Sequence, residues 1–397
     1  MSERTIVHLD LDSFFVSVER LLDSTLFGKP VIIGGTSDRG VVASCSYEAR
    51  VFGVHSAMPI RMAKQLCPHG TYVRGDMDQY SKYSHIVTEI LEERAPVVEK
   101  ASIDEHYLDI SGMDKYIMQS SKWAHELRMH LIKQTGLPLS FGMSVNKTVS
   151  KVATGEAKPD GEKVIEAGAE KSFLAPLSIK KIPMIGDKTY LILRNMGIER
   201  VETIQLMPPE MMQKVLGENG SSIWQKANGI DNNPVEPYSE RKSISSENTY
   251  DKDTTDISIV HRSIVTMVNE LGYKLRKEKK VCGCVTIKLR YSDFQTHTFQ
   301  ARIPYTASDH VLLGKALELF TKNYSRRVLI RLIGVKFSHI VSGFNQINLF
   351  DDTEEKIKLY QAMDSIRNRF GEHAIMKSIS TPTKKEKEEE EKRRKGK

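Results

Sequence analysis

The chain of 397 residues is 40% hydrophobic and 27% charged, with a formal net charge of +7. At roughly 100 to 200 residues per domain, two to four compact units are expected rather than one. Between Arg241 and Asn345 stand 18 Lys and Arg against 9 Asp and Glu, so the C-terminal third is the basic part and points toward a polyanionic partner. No stretch reaches the roughly 18 consecutive apolar residues of a membrane span, and the N-terminus lacks a signal-peptide core. A soluble, cytoplasmic protein is the expectation. Cys45, Cys67, Cys282 and Cys284 form no CxxC pair and have no histidines at zinc-finger spacing, which predicts reduced thiols and no structural metal.

In chain order, RTIVHLDL reads as a buried strand and SFFVSVERLLD as the helix after it, with Asp12 or Ser13 capping the first turn. KPVIIGG and GVVASCS are short strands around a Gly-rich turn, and YEARVFGV begins as a helix stopped by Gly53. KASIDEHYLDIS is a strand or hairpin. LPLSFGMSVN is a strand leading into a helix, with Val145, Val149, Val152 and Ala153 on its apolar period. Up to about Glu166 the chain is mixed α/β, and from Ala167 to Asn233 it turns helical. DNNPVEPYSER, with two prolines, suits an extended linker. A helix, two strands, another helix and a last strand then predict a small helix-covered antiparallel sheet. The end, KKEKEEEEKRRKGK, is a mixed charge block with nothing apolar to bury.

Chemistry enters with the carboxylates. Asp10 closes the first strand, and SIDE embeds Asp104 and Glu105 in a second apolar run. Successive strand residues face opposite sides, so both acids serve one site only at a strand end or hairpin turn; otherwise Glu105 simply faces solvent. Three carboxylates on neighbouring strand edges suit two Mg²⁺ ions, which take oxygen ligands and keep room for substrate phosphates. That is the chemistry of phosphoryl or nucleotidyl transfer.

HLDLDSFFVSVE, SYEARVFGV, SIDEHYLDIS and AKPDG, in this order and spacing, closely resemble the motifs of the Y-family translesion DNA polymerases of the DNA polymerase IV type. The likeness runs from about Thr5 to Phe350. It implies a mixed α/β (α+β) multidomain fold: a palm (1–16 and 78–166), fingers (17–77), a helical thumb with a helix-hairpin-helix (167–233), a linker (234–242) and a basic α/β little finger (243–345). A clamp-binding motif and charged tail (346–397) would follow. The implied activity is template-directed addition of deoxynucleotides to a primer 3′-hydroxyl, with release of pyrophosphate, low fidelity, no proofreading and tolerance of damaged templates.

By the same resemblance Asp10 and Asp104 bridge two Mg²⁺ ions, with Mn²⁺ as a substitute. Glu105 binds the ion that activates the primer, and the Leu11 carbonyl serves the ion that travels with the triphosphate. Asp12 is no ligand and is expected to cap the helix. Phe15 becomes the steric gate under the sugar, with Phe14 packed beneath; on spacing alone a core aromatic is a fair rival reading. Tyr47, Arg50 and Lys158 hold the β and γ phosphates, and Ser44 and Cys45 line the base pocket. His106 stands where the family usually has a small residue, Met184 occupies a position that is commonly Gly, and Gly155 interrupts a helix.

IPMIGDKTYLILRNMGI resembles a helix-hairpin-helix, with Gly186 and Lys188 at a helix start facing a DNA phosphate. Arg241, Lys242, Lys288, Arg290, Arg302 and Arg331 are candidate backbone contacts, which carry no sequence information. QINLF resembles the peptide that docks in the sliding clamp, through Gln346, Leu349 and Phe350. Downstream, Leu359, Met363, Ile366 and Phe370 form an apolar stripe expected to pack in a core. The expected partners are primer-template DNA, dNTPs and the clamp, with no membrane, for a monomer working at the bacterial nucleoid. A two-metal nuclease and a non-catalytic DNA-binding protein are the rival readings; the first has no use for Phe15 or the phosphate cradle, and intact carboxylates argue against the second.

Overall fold

The computed structural model describes residues 4–35, 37, 39–113, 117–324, 328–343, 354–371 and 374–375. Contacts divide the chain into two compact units, Met1–Ser239 and Glu240–Lys397. The first unit runs β1 (Ile6–Leu11), α1 (Phe14–Leu22), β2 (Val31–Gly34), β3 (Val42–Cys45), α2 (Tyr47–Arg50), α3 (Ile60–Leu66), β4 (Thr71–Val73) and α4 (Met77–Arg94). It continues with β5 (Val97–Lys100), β6 (Glu105–Asp109), α5 (Ile117–Thr135), β7 (Leu139–Ser144), α6 (Lys147–Ala157) and β8 (Glu162–Val164). Short helices close it: α7 (Glu170–Leu174), α8 (Asp187–Asn195), α9 (Val201–Leu206), α10 (Pro209–Leu216) and α11 (Glu218–Ala227).

A five-stranded sheet of order β5-β6-β1-β7-β8 carries the first unit, with β1 in the middle. Paired on both edges and covered on both faces, β1 buries every residue except Asp10, which is only half-buried. That is why IVHLDL reads as a nearly continuous apolar run. The antiparallel register sets Asp10 opposite Glu105, Leu9 opposite His106 and His8 opposite Tyr107. Directly opposed residues project to the same face of a sheet. His8, Asp10, Glu105 and Tyr107 therefore face α6, while Leu9, His106 and Leu108 face α4. A separate three-stranded sheet, β3-β2-β4, has its own core of Ile32, Val42, Cys45, Ala49, Met58 and Ile60.

Several local expectations change. Neither Asp12 nor Ser13 caps α1 through its side chain, and Ser13 sits in the left-handed region at φ 44°. Helix α6 begins at Lys147, capped by Asn146, so Val145 lies before it rather than on its apolar face. Gly155 does not break α6. The segment Ile182–Ile198 holds one helix, α8, preceded by a single turn at Ile179–Lys181, and Met184 adopts φ 78° on its own.

The second unit comprises β9 (Ser243–Thr254), α12 (Ile257–Lys277), β10 (Lys280–Tyr291), β11 (Thr296–Thr306), α13 (Asp309–Asn323), β12 (Ile330–Ser342) and α14 (Glu354–Phe370). Its sheet has the order β11-β10-β12-β9. The sequence pattern misses β9 because this edge strand buries only Ile244 and Tyr250 and shows no sustained alternation. Cys282 and Cys284 are both buried, with a bulge between them.

The apolar stripe of α14 is not its packing face. Leu359 is 56% exposed and Phe370 67%, whereas Tyr360 and Arg367 are buried. Asp364 accepts from Arg276 Nε at 2.6 Å, Arg276 also reaches Asp309 at 2.5 Å, and Tyr273 donates to Asn368 at 2.6 Å. Polar and aromatic partners on α12 and α13 thus choose a stripe one position round from the apolar one. Among the described residues no helix is long and apolar enough to cross a membrane.

Two glycines flank the site with opposite constraints. A Cβ at Gly142 would stand 2.3 Å from the Ser150 carbonyl oxygen and 2.4 Å from the Thr154 amide, because α6 lies directly on β7. Gly155, exposed inside α6, has nothing within 4 Å of its added Cβ. Chemical denaturation should show Gly142→Ala destabilised by about 1–3 kcal/mol or more and Gly155→Ala stabilised by about 0.5–1 kcal/mol.

Candidate active site

The three carboxylates meet because two strands end together. Asp10 stands between Glu105 on β6 and Ser140 on β7, and the Leu11 amide donates to the Asp104 carbonyl at 3.1 Å. The turn from β5 to β6 solves the parity problem raised by adjacent acids, since Asp104 lies in the turn and Glu105 begins the strand. Ser102 holds that turn. Its hydroxyl donates to Asp104 Oδ1 at 2.6 Å and accepts from the amides of Asp104 and Glu105 at 3.3 and 3.0 Å. Ser102 escaped notice as a functional residue, although a Ser two residues before an Asp is a recognisable local hydrogen-bonding signal.

Each acid is answered by a different group. Lys158 forms an ion pair with Asp10, and Lys151 Nζ lies 2.6 Å from Glu105 Oε2. His8, buried, places Nε2 4.0 Å from the same Glu105 oxygen, beyond hydrogen-bond reach, and lodges Nδ1 2.8 Å from Thr154 Oγ1. Burial, with the charges of Glu105 and Asp104 nearby, pushes Asp10 up to about 6 in spite of Lys158. The facing His8 ring and the Lys151 ammonium hold Glu105 down at about 2 against its burial. Lys151 was absent from the sequence reading, though it lies one helical turn beyond Lys147 and seven residues before Lys158.

Three carboxylates offer only hard oxygen donors, the set that Mg²⁺ prefers, and Asp10, raised chiefly by its burial and further by Glu105 and Asp104, is a carboxylate whose ionised form a bound cation would favour. As the side chains stand, however, no three of His, Cys, Asp and Glu among the described residues form a ready-made metal cluster. Lysines and Ser102 engage the acids instead.

Phe14 is buried in the main core, while Phe15 is partly buried and lies flat on Tyr80, centroids 4.3 Å apart and planes 10° apart. Tyr80, from α4, was not foreseen; its hydroxyl donates to Glu19 at 2.6 Å, which fixes the ring under Phe15. Ser46 caps α2, whose single turn sets Tyr47 and Arg50 on one side with the guanidinium 4.6 Å above the phenol ring. Lys158 precedes the Pro159–Gly161 turn. Ser44 is buried on β3, and Cys45 is buried in the core of the small sheet, its thiol 3.4 Å from the Val54 carbonyl.

Family models match the same stretches: the impB/mucB/samB family over residues 9–155 and that family's C-terminal domain over 241–349. DNA polymerase IV of Dehalococcoides mccartyi strain CBDB1 is 37% identical over 374 residues, which is 94% of this chain and 96% of that protein. DNA polymerase IV of Treponema denticola is 35% identical over 386 residues, covering 97% of this chain and 95% of that protein. A solved Y-family DNA polymerase chimera of Dbh and Dpo4 superposes with a TM-score of 0.76 at 26% identity, covering 85% of this chain and 99% of its own. This chain belongs to the Y family of DNA polymerases. A second structure, DinB from Sulfolobus solfataricus, superposes with a TM-score of 0.61 over the same shares.

In this polymerase Gly186 and Lys188 are exposed at the start of α8. On the second unit, Lys288, Arg290 and Arg302 share the sheet face turned away from α12 and α13, and Lys336 joins them through its pairing with Thr286. Lys336 was missed, although it alternates with buried Val335 and Phe337. An acid tempers this face, where Lys288 reaches Glu247 at 2.8 Å; Arg241, before β9, reaches Glu278 at the end of α12 at 2.7 Å. Arg331 stands 4.0 Å from Asp253 with its guanidinium 4.5 Å above Phe294. Lys242, just before β9, is exposed. Gln346, Leu349 and Phe350 lie outside the described residues.

His106 faces away from the acids, as its register requires, with Nε2 2.9 Å from Thr88 Oγ1 on α4. Burial and the nearby Lys100 push its pKa down to about 3 from an unfolded value near 6.5. The unfolded chain therefore binds this proton first, and its stability contribution is lost as pH falls from about 6.5 toward 3, at up to about 1.4 kcal/mol per pH unit. His106→Leu should keep primer extension near wild type and flatten that acid limb in denaturant titrations; a limb of unchanged slope would place the proton uptake elsewhere.

Proposed function

We propose that this polymerase extends a DNA primer by two-metal nucleotidyl transfer at the junction of β1 and β6, copying damaged as well as intact templates with low fidelity. The observation that supports it most is the register: Asp10 directly opposite Glu105, with Asp104 bonded across to Leu11. Asp10, Asp104 and Glu105, with the Leu11 carbonyl, would hold two Mg²⁺ ions, Glu105 serving on the primer side and Leu11 on the triphosphate side. When bound, the ions supply the positive charge that makes the 3′-hydroxyl a nucleophile and stabilises the leaving pyrophosphate.

The chain's own residues do the rest. Tyr47, Arg50 and Lys158 hold the triphosphate by donation and charge, Arg50 being suited to bidentate contact with phosphate oxygens. Burial, with Asp12 beside it, pushes the Tyr47 phenol well above its ordinary value, so it remains a donor at working pH. Phe15, backed by Tyr80, presents a rigid ring where a ribose 2′-hydroxyl would clash. Residues 1–16 and 78–166 would form the palm, 17–77 the fingers, 167–233 the thumb and 243–345 the little finger, joined by the linker 234–242. The open face bearing Lys288, Arg290, Arg302 and Lys336 suits the phosphate backbone, with Gly186, Lys188, Arg241, Lys242 and Arg331 as further contacts. Such contacts make affinity salt dependent and indifferent to sequence.

Primer extension with each dNTP and rNTP tests this reading. Asp104→Ala should lose at least about 10³-fold in rate with its fold intact, and Phe15→Ala should incorporate ribonucleotides that wild type rejects. Shortening of the primer by wild type would return the nuclease reading.

Gln346, Leu349 and Phe350 are proposed to dock on the sliding clamp, between the end of β12 and the start of α14. A Leu349→Ala/Phe350→Ala variant should lose clamp stimulation and keep basal extension; undiminished binding to the clamp in a pull-down would remove the assignment.

A further inference from the structure

Asp12 is the one carboxylate of the HLDLD run that the proposed metal site leaves unused, and it is 2% exposed. Elements from four parts of the first unit converge on it. Ser140 Oγ on β7 donates to Oδ2 at 2.8 Å, and the Asp160 amide donates to the same oxygen at 2.7 Å. The Tyr47 hydroxyl on α2 donates to Oδ1 at 3.3 Å, and Lys158 Nζ stands 3.8 Å from that oxygen. Its own main chain is tied as well: the Asp12 amide donates to the Pro138 carbonyl at 2.9 Å, and its carbonyl accepts from Ser17 Oγ at 2.7 Å.

The turn that carries Lys158 depends on this anchor. Asp160 sits at φ 52°, in the left-handed region that a non-glycine residue holds only when its surroundings enforce it. The Asp12 carboxylate takes its amide, Arg128 takes its side chain, and Ser140 takes the Gly161 amide at 3.2 Å. Arg128 is itself buried and donates to the Leu139 carbonyl at 2.8 Å, so the turn is fastened to the same strand end as Ser140.

We propose that Asp12 is a positioning residue for the incoming nucleotide: a buried carboxylate that fixes the Lys158 turn and orients Tyr47, so that the triphosphate pocket is formed before the nucleotide arrives. The proposal rests on the reading of Tyr47 and Lys158 as phosphate contacts. The Tyr47 bond to Asp12 is long, and rotation of one O–H transfers the donor from Asp12 to a phosphate oxygen while the ring stays in place. Every group facing Asp12 is a donor or a cation. An asparagine keeps an oxygen for Ser140 and the Asp160 amide but turns its NH₂ toward Tyr47 and Lys158, so the Tyr47 hydroxyl must accept instead of donate and the negative charge facing Lys158 is lost.

Single-turnover primer extension across a dNTP titration separates nucleotide affinity from the maximal rate. Asp12→Asn should raise the apparent Kd for dNTP about tenfold and leave the maximal rate within about threefold, with DNA affinity and melting temperature at wild-type values. Ser140→Ala, which removes one donor, should shift the same constant by a smaller factor. Tyr47→Phe combined with Asp12→Asn should shift it by less than the product of the two single effects. An unchanged nucleotide Kd in Asp12→Asn, or parallel losses of melting temperature and DNA affinity in both Asp12→Asn and Ser140→Ala, would overturn the proposal. Lys158→Ala, measured alongside, separates the failures: if it weakens nucleotide binding and Asp12→Asn does not, only the role of Asp12 falls. If neither does, the phosphate cradle itself falls and Asp12 with it.

Discussion

Three carboxylates stand where β1 and β6 meet, and the surrounding structure is arranged around their mutual repulsion. Asp10 and Glu105 are directly opposed across an antiparallel pair, a placement that is unfavourable for like charges. Asp10 remains protonated to a higher pH than a free carboxyl, while Glu105 is held ionised by His8 and Lys151. The lysines that balance them come from α6 and from the turn after it, so the helix lying on β7 supplies the counter-charge. The close approach at Gly142 is what brings α6 into range.

Sidedness follows from the same register. Because opposed residues share a face, the pairing of β1 with β6 sends Glu105 toward α6 and His106 toward α4 in a single step. An unusual residue beside a proposed metal ligand is thereby buried against Thr88 on α4. Asp12, two residues beyond Asp10, binds the strand end, the α2 turn and the Lys158 turn into one network. The eight residues His8 to Phe15 thus contribute to the proposed metal site through Asp10, adjoin the phosphate cradle through Asp12 and carry the proposed sugar gate at Phe15.

In the second unit, polar contacts outrank apolar ones at α14. The Arg276 guanidinium is shared between Asp309 and Asp364, and breaking such a buried arrangement would strand a charge. The helix therefore turns its Tyr360, Asp364 and Arg367 inward and leaves Leu359 and Phe370 in solvent. Counting apolar periodicity predicts the opposite rotation, since the deciding partners lie 50 to 95 residues away in sequence.

Much of the architecture was legible in local pattern. The apolar run of β1 and the turn signals around α2 each reflect short-range constraints that a few consecutive residues carry alone, and the basic third is plain from composition. The motif order identified the family. What tertiary structure alone decided was which groups meet: Lys151 with Glu105, Tyr80 beneath Phe15, four donors and cations around Asp12, and the polar rather than apolar face of α14 against α12 and α13. The reason is physical. Propensity and periodicity act over one or two turns of chain, whereas the pairing of a buried charge depends on which distant donor the fold delivers to it, and that is set by strand register and helix placement.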